Sequence, residues 1–298
     1  MTQADAGRNV METTVVIGAG GLLGSALAAG LERAGGKVVR LSRGDIDLVR
    51  VDAIAEAIAR AGAVRVFNCA AHTDLEAAQD APGLDRAVNC DLAGAIARAS
   101  ADQNIPLVHF SSTGCYGDWK ETPYVEDDEP RPLSNHHQAK LAGEHAVAAA
   151  GGDHAIFRLG WLYGGETDQP KNFVWKRIVE AAGKTQMTSD AVQCGCPTYV
   201  EDVVRQVLLA VGEGQRGVFN AVSQGSASRC DYVRTIVSAA GLPCVVEAGP
   251  GFARKAPVSS NETAVNARLQ AAGLDIMPHW RDSLASYVTG LLRDNPIP

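Results

Sequence analysis

Aromatic residues make up only 5% of the 298-residue chain, and long apolar runs are missing. Stretches such as Gly21 to Leu31 are broken by glycine or charge within about a dozen residues, short of the ~20 that cross a bilayer, so no membrane partner is expected. Basic charge is also scarce. With 27 Lys+Arg against 34 Asp+Glu the formal charge is -7, which leaves no positive field to hold nucleic acid. Met1 to Glu12 is polar and acidic, so no secretory leader is expected and the reading is a cytoplasmic protein. The seven cysteines, Cys69, Cys90, Cys115, Cys194, Cys196, Cys230 and Cys244, lack the paired CxxC spacing of a zinc centre; they read as free thiols, with no metal site.

What is present is the composition of a soluble globular chain, 46% hydrophobic and 20% charged. Thr13 to Ile17 is a β-branched run, followed by a glycine turn, an Ala-rich helical pattern through Arg33 and a Gly35-Gly36 stop. A second strand at Lys37 to Leu41, a helix at Val51 to Arg60 and a third strand at Val64 to Cys69 complete a β-α-β-α-β order. Helices over Leu84 to Ala101 and Ser134 to Ala149 then alternate with strands over Leu107 to Ser111 and Ala155 to Leu159. The fold class predicted is α/β: a Rossmann-type doubly wound parallel sheet with a smaller C-terminal substrate lobe. The expected organisation is a flexible extension over 1–12, a nucleotide-binding domain over 13–165 to which 198–225 returns, and a substrate lobe from 166–197 and 226–298.

Gly18, Gly21 and Gly24 stand at GxxGxxG spacing between strand and helix. The first glycine permits a tight turn, the second lets a pyrophosphate approach the backbone, and the third lets helix and strand pack closely. Leu22 and Leu23 open the helix, whose free N–H groups would face the phosphates. No carboxylate ends the second strand; Arg40, Ser42 and Arg43 stand there, and a guanidinium suits the 2′-phosphate of NADP(H) over the bare ribose of NAD(H).

At Phe110-Ser111-Ser112-Thr113-Gly114-Cys115-Tyr116-Gly117 a buried strand ends in consecutive hydroxyls, and Lys140 opens the helical run Lys140-Leu141-Ala142-Gly143-Glu144. These segments, with Asp45-Ile46-Asp47, Asn68 to Thr73, Ala87-Val88-Asn89, Arg158 to Gly164, Asn172-Phe173-Val174, Gly195 to Tyr199 and Trp280 to Leu284, cover nearly the whole chain. Together they resemble the extended short-chain dehydrogenase/reductase superfamily and, within it, the dTDP-4-dehydrorhamnose reductase (RmlD-like) family; GDP-fucose synthases are a more distant likeness. The resemblance implies hydride transfer from a nicotinamide to a keto group on a nucleotide-linked deoxysugar or similar polyol metabolite. It assigns Ser112 to the substrate oxygen, Lys140 to the nicotinamide ribose, Asp47 and Leu48 to the adenine side, Cys69, Ala70 and Ala71 to the cofactor wall, and Asn89 to the helix asparagine. His72, Thr113, Trp161 and Asn172 fall where the family meets its substrate, as do Arg158, Tyr163, Lys171 and Lys176. The partner expected is a small-molecule nucleotide-sugar, with a homodimer left open.

One position departs from the family. Its proton donor is a tyrosine four residues before the lysine, one helical turn away, and here that residue is His136. An imidazolium is a stronger acid than a phenol, so His136 can replace the tyrosine, while Lys140 one turn on pushes the ring toward neutrality. Three outcomes follow: an atypical proton donor, a changed chemistry such as epimerisation or dehydration, or a regulatory or scaffold subunit that binds NADP without turnover. His109, inside the fourth strand, reads as a core residue.

Overall fold

In the computed structural model, which describes residues 12–45, 51–169 and 171–297, six parallel strands form the central sheet. In chain order the first elements are β1 (Thr13–Ile17), α1 (Leu22–Arg33), β2 (Lys37–Leu41), α2 (Val51–Ala61) and β3 (Ala63–Asn68). Then come the short helices α3 (Leu75–Asp80) and α4 (Pro82–Arg86), a π-helical turn over Ala87–Leu92, α5 (Ala93–Asp102), β4 (Leu107–Ser112) and a 3-10 turn over Thr113–Tyr116. After these follow α6 (Asn135–Ala149), β5 (His154–Leu159), β6 (Trp161–Tyr163), α7 (Phe173–Ala182), β7 (Gln186–Asp190), β8 (Cys194–Gly195), β9 (Pro197–Tyr199) and α8 (Val200–Gly212). The chain closes with β10 (Gly217–Ala221), β11 (Ala227–Ser228), α9 (Arg229–Ala239), β12 (Val245–Gly249), α10 (Ala267–Ala271) and α11 (Trp280–Asp294).

The sheet order is β10-β5-β4-β3-β1-β2. From β1 the chain goes first to one side, to β2, and then to the other, through β3, β4 and β5, so the order reverses between β1 and β3. In open α/β sheets that crevice, at the carboxyl ends of the strands, is where ligands sit. The strands are apolar because both faces are covered: Val16, Phe67, Val108 and Phe157 pack against α1 and α8, while Val15, Val66, Leu107 and Ile156 pack against α2 and α5.

The helix expected from Leu84 to Ala101 is present as one unbroken helical run from Pro82 to Asp102, with a π-helical turn inside it. Pro82 supplies the first turn of α4, where its missing N–H costs nothing, and the π-helical turn joins α4 to α5. Helix α3, capped by the Asp74 carboxylate on the Ala77 amide, was not anticipated.

A second packing centre lies C-terminal to β5. Aromatic and aliphatic side chains of β6, α7, α9 and α11 form it, with the Tyr163 ring against Tyr232 and Tyr287, and Tyr232 against Trp280. The two-stranded pair β7–β12 packs on α9, and β8–β11 and β6–β9 are the other small pairs. Lys171 Nζ reaches Thr73 Oγ1 at 2.8 Å, and Lys255 Nζ reaches Asp80 at 2.7 Å; both contacts tie the C-terminal part to the segment after β3. No helix among the described residues is long and apolar enough to cross a membrane.

Candidate active site

The glycine loop is shaped as its spacing predicts. Gly18 has φ +80°, and a Cβ there would lie 2.6 Å from the Ala70 amide nitrogen, so the loops after β1 and β3 touch where the sheet order reverses. At Gly24 a Cβ would come within 2.2 Å of the Gly18 carbonyl oxygen, closing the turn against the strand. Gly21 caps α1 without a side chain, and the amides of Leu22, Leu23 and Gly24 have no acceptor among the described residues. Such a terminus binds phosphate: free N–H groups and the positive end of the helix dipole point the same way. The Leu23 side chain packs into the core, whereas Leu22 lies half-buried beside Gly165.

At the tip of β2 the arginines separate. Arg40 is bound to Glu32 of α1 through Nε at 3.1 Å and Nη2 at 2.8 Å, so its guanidinium is engaged along the helix. Arg43 is exposed and has no ion-pair partner among the described residues. Ser42 lies against the glycine loop, its Oγ 3.5 Å from where a Gly20 Cβ would be. Asp47 and Leu48 lie outside the described residues.

Beyond β3 the half-buried Cys69, Ala70 and Ala71 line the loop that faces Gly18, and Asn68 fixes it by accepting the Ala70 amide at 3.1 Å. Burial raises the Cys69 thiol well above its ordinary pKa, which keeps it protonated. His72 and Asn89 meet at a residue the sequence did not single out, Asp85. Its Oδ1 lies 2.9 Å from His72 Nδ1, 3.0 Å from His136 Nδ1 and 2.9 Å from Asn89 Nδ2. Asn89 Nδ2 also donates to the His72 carbonyl at 2.9 Å, binding the loop to the helix.

The end of β4 and the start of α6 form the other wall. Ser112 is half-buried, and its Oγ accepts the Gly114 amide at 3.1 Å to cap the 3-10 turn. That turn carries Thr113, which is buried, with Oγ1 donating to the Leu159 carbonyl at 3.3 Å. Ser134 caps α6, placing His136 and Lys140 one turn apart. Lys140 Nζ is buried and donates to the Phe110 carbonyl at 2.5 Å, and burial lowers its pKa.

Burial also brings the His136 pKa down to about 4, against the opposing pull of the Asp85 hydrogen bond. Neighbouring His137 is buried too, its ring packed so closely that a Cβ on Gly114 would lie 2.2 Å from Nε2. Glu144 of the same helix grips Arg158 of β5 through bonds of 3.0 and 2.7 Å. Arg158, expected at the substrate, instead anchors α6 to the sheet.

On the C-terminal side Trp161 is half-buried, its indole donating to Glu262 at 2.7 Å while the Arg229 guanidinium stacks 3.5 Å above its ring. Asn172 is buried and fully used: Oδ1 caps α7 on the Trp175 amide, and Nδ2 donates to the Glu166 carbonyl at 3.0 Å and to Tyr287 Oη at 2.7 Å. Tyr163 is buried in the aromatic cluster. His109 is a core residue, as expected, 3.1 Å from Asn68 Nδ2. All seven cysteines are free, and the described residues contain no group of acidic, cysteine or histidine side chains able to hold a metal.

This arrangement matches known proteins over almost the full chain. A profile of the family described as RmlD substrate binding domain matches residues 11–293. The dTDP-4-dehydrorhamnose reductase of Mycobacterium tuberculosis is 36% identical over 289 residues, covering 94% of this chain and 93% of its own. That of Mycolicibacterium smegmatis is 33% identical, covering 97% and 90% respectively. The crystal structure of a dTDP-4-dehydrorhamnose reductase from Clostridium acetobutylicum superposes with a TM-score of 0.89 at 27% identity, covering 94% of this chain and 99% of that one. The chain belongs to the RmlD substrate binding domain family, within the extended short-chain dehydrogenase/reductases.

Proposed function

We propose that this protein is an NADP(H)-dependent reductase that converts a keto group on a nucleotide-linked deoxysugar to the alcohol. The observation that supports the reading is an uncapped helix terminus whose glycine loop touches the loop after β3 at the reversal point of the sheet, with Lys140, one turn after His136, bonded to the strand end that leads into Ser112. The names of the relatives state the same reaction class, and a dTDP-4-dehydrorhamnose reductase of the same fold from Bacillus anthracis was solved in complex with NADP.

The residues present fit such a cofactor: Gly18 and Gly24 let the turn close against the backbone, Gly21 leaves the helix terminus without a side chain so that a pyrophosphate can approach, the amides of Leu22 and Leu23 can bond it, and Ser42 and Arg43 can receive a 2′-phosphate. Cys69, Ala70 and Ala71 would form its wall. When bound, the cofactor supplies the hydride. The chain's own residues do the rest. Ser112 donates its hydroxyl to the carbonyl oxygen, where negative charge grows, and the Lys140 ammonium stabilises that charge from one turn away. His136, once protonated at Nε2 from solvent, gives that proton to the same oxygen and returns to the neutral ring. The sugar nucleotide would lie between the sheet edge and the lobe that carries Trp161 and Arg229, near His72.

A second reading has one observation in its favour. A ring whose pKa is held down to about 4 is neutral near pH 7 and has no spare proton to give, which suits a subunit that binds NADP and turns over slowly. Purified protein, NADPH and a dTDP-linked 4-keto-6-deoxysugar decide between the two. The reductase reading expects NADPH consumed in step with alcohol formed; tight NADPH binding without consumption from pH 5 to 8 would overturn it.

A further inference from the structure

We propose that Asp85 is the positioning residue of the active site, holding the His136 ring so that Nε2 alone can exchange a proton with a substrate oxygen. This rests on the reading of His136 as the proton-exchanging group. The supporting geometry is independent of any ligand. Three donors converge on the single oxygen Oδ1 of Asp85: Nδ1 of His72 at 2.9 Å, Nδ1 of His136 at 3.0 Å and Nδ2 of Asn89 at 2.9 Å. Asp85 is wholly buried, in α4, while the two histidines come from the loop after β3 and from α6.

A carboxylate only accepts hydrogen bonds, so each ring facing it must carry its proton on Nδ1. For His136 that leaves Nε2, which has no hydrogen-bond partner among the described residues and is absent from their sealed, unpartnered polar atoms. Free imidazole has no such constraint; the choice of ring nitrogen is made by the bond the other nitrogen forms.

Asn89 and His72 are the reason Asp85 can do this at a fixed place. Asn89 sits one turn after Asp85 and bonds both its Oδ1 and the His72 carbonyl, so loop, helix and carboxylate form one unit. Among the described residues the Asp85 carboxylate favours the charged form of the His136 ring, while His137 and Lys140 of the same helix oppose it and His72 comes from the loop opposite. Removing the carboxylate therefore removes both an orientation and a charge. It acts through His136 and is not placed against the substrate.

The test is nitrogen NMR of the histidine-labelled, cofactor-free protein at pH 7, with the His136 signals assigned by their loss in His136→Gln. The expected pattern is a protonated Nδ1 and a bare Nε2. Finding the proton on Nε2 would overturn the proposal. Asp85→Asn, which keeps the shape and removes the charge, is expected to shift that pattern toward the Nε2–H form. With NADPH and keto-sugar nucleotide it should also lower kcat by about tenfold or more, on the scale of general acid-base catalysis, with KM little changed.

A purely structural role predicts lower thermal stability with kcat per folded molecule and tautomer unchanged, and that result also overturns the proposal. If Asp85→Asn does not fold, the wild-type spectrum still decides. The spectrum needs no turnover, so an Nδ1–H ring in a protein that never consumes NADPH would count against the reductase and leave the role of Asp85 standing.

Discussion

A histidine proton donor, as proposed for His136, is charged over a different pH range from a phenol. Asp85 on α4 stabilises the charged His136 ring, whereas burial, His137 and Lys140 oppose it, and the net effect is a pKa lowered to about 4. Below that value the ring is cationic and can donate; at pH 7 only about one ring in a thousand is. Ketone reduction by the wild type is therefore expected to quicken as pH falls from 8 toward 5, as a pH series of kcat would show. His136→Phe should lose that acid limb and about 10²- to 10⁴-fold in kcat, with NADPH affinity kept.

The two arginines near β2 give a second prediction at this scale. Arg43→Ala should weaken NADPH relative to NADH, while Arg40→Ala should leave the ratio unchanged, because Arg40 is already paired with Glu32. Competitive titration with both cofactors measures it. Asp85 was invisible in the sequence because its partners stand 13 and 51 positions away, and only the fold brings them together. The inward bond of Thr113 to the Leu159 carbonyl was not legible either, because a residue-type motif does not say which hydroxyl a 3-10 turn will carry inward.

At the scale of elements, strands of continuous apolar residues and the glycine turn were legible, since burial on both faces and a phosphate loop leave strong local patterns. The Gln186–Asp190 strand and its partner Val245–Gly249 were not legible. They are short, half-polar and paired across a long separation. The π-helical turn at Asn89 likewise depends on packing: at Gly143 a Cβ would lie 2.0 Å from the Asn89 carbonyl oxygen, so α6 approaches the turn closely.

Two substitutions test how these elements hold the site. Gly18→Ala combines a left-handed backbone with a Cβ 2.6 Å from Ala70 nitrogen, and should part the β1 and β3 loops. Calorimetric titration is expected to show NADPH affinity reduced by tenfold or more, roughly 1.4 kcal/mol or above. Glu144→Gln leaves Arg158 buried without its anion and should cost about 3–5 kcal/mol in chemical denaturation, with α6 loosened from β4 and β5. The helix that carries His136 and Lys140 is held by that pair.

For the whole molecule, the parallel sheet and the C-terminal aromatic cluster form two packing centres with the reversal crevice between β1 and β3, and Lys171 and Lys255 bridge to the segment beyond it. Family membership accounts for that architecture; within it, His136 and His72 are linked by hydrogen bonds to one carboxylate oxygen of Asp85. The central claim is that this corner reduces a sugar ketone with a phosphorylated nicotinamide. Its most direct measurement is the stoichiometry of NADPH oxidation to alcohol product from a dTDP-linked 4-keto-6-deoxysugar, followed at pH 8, 7, 6 and 5. The account predicts one alcohol per NADPH, forming faster at each lower pH. NADPH that binds but persists unchanged at every pH, or oxidation that yields no alcohol, would contradict it.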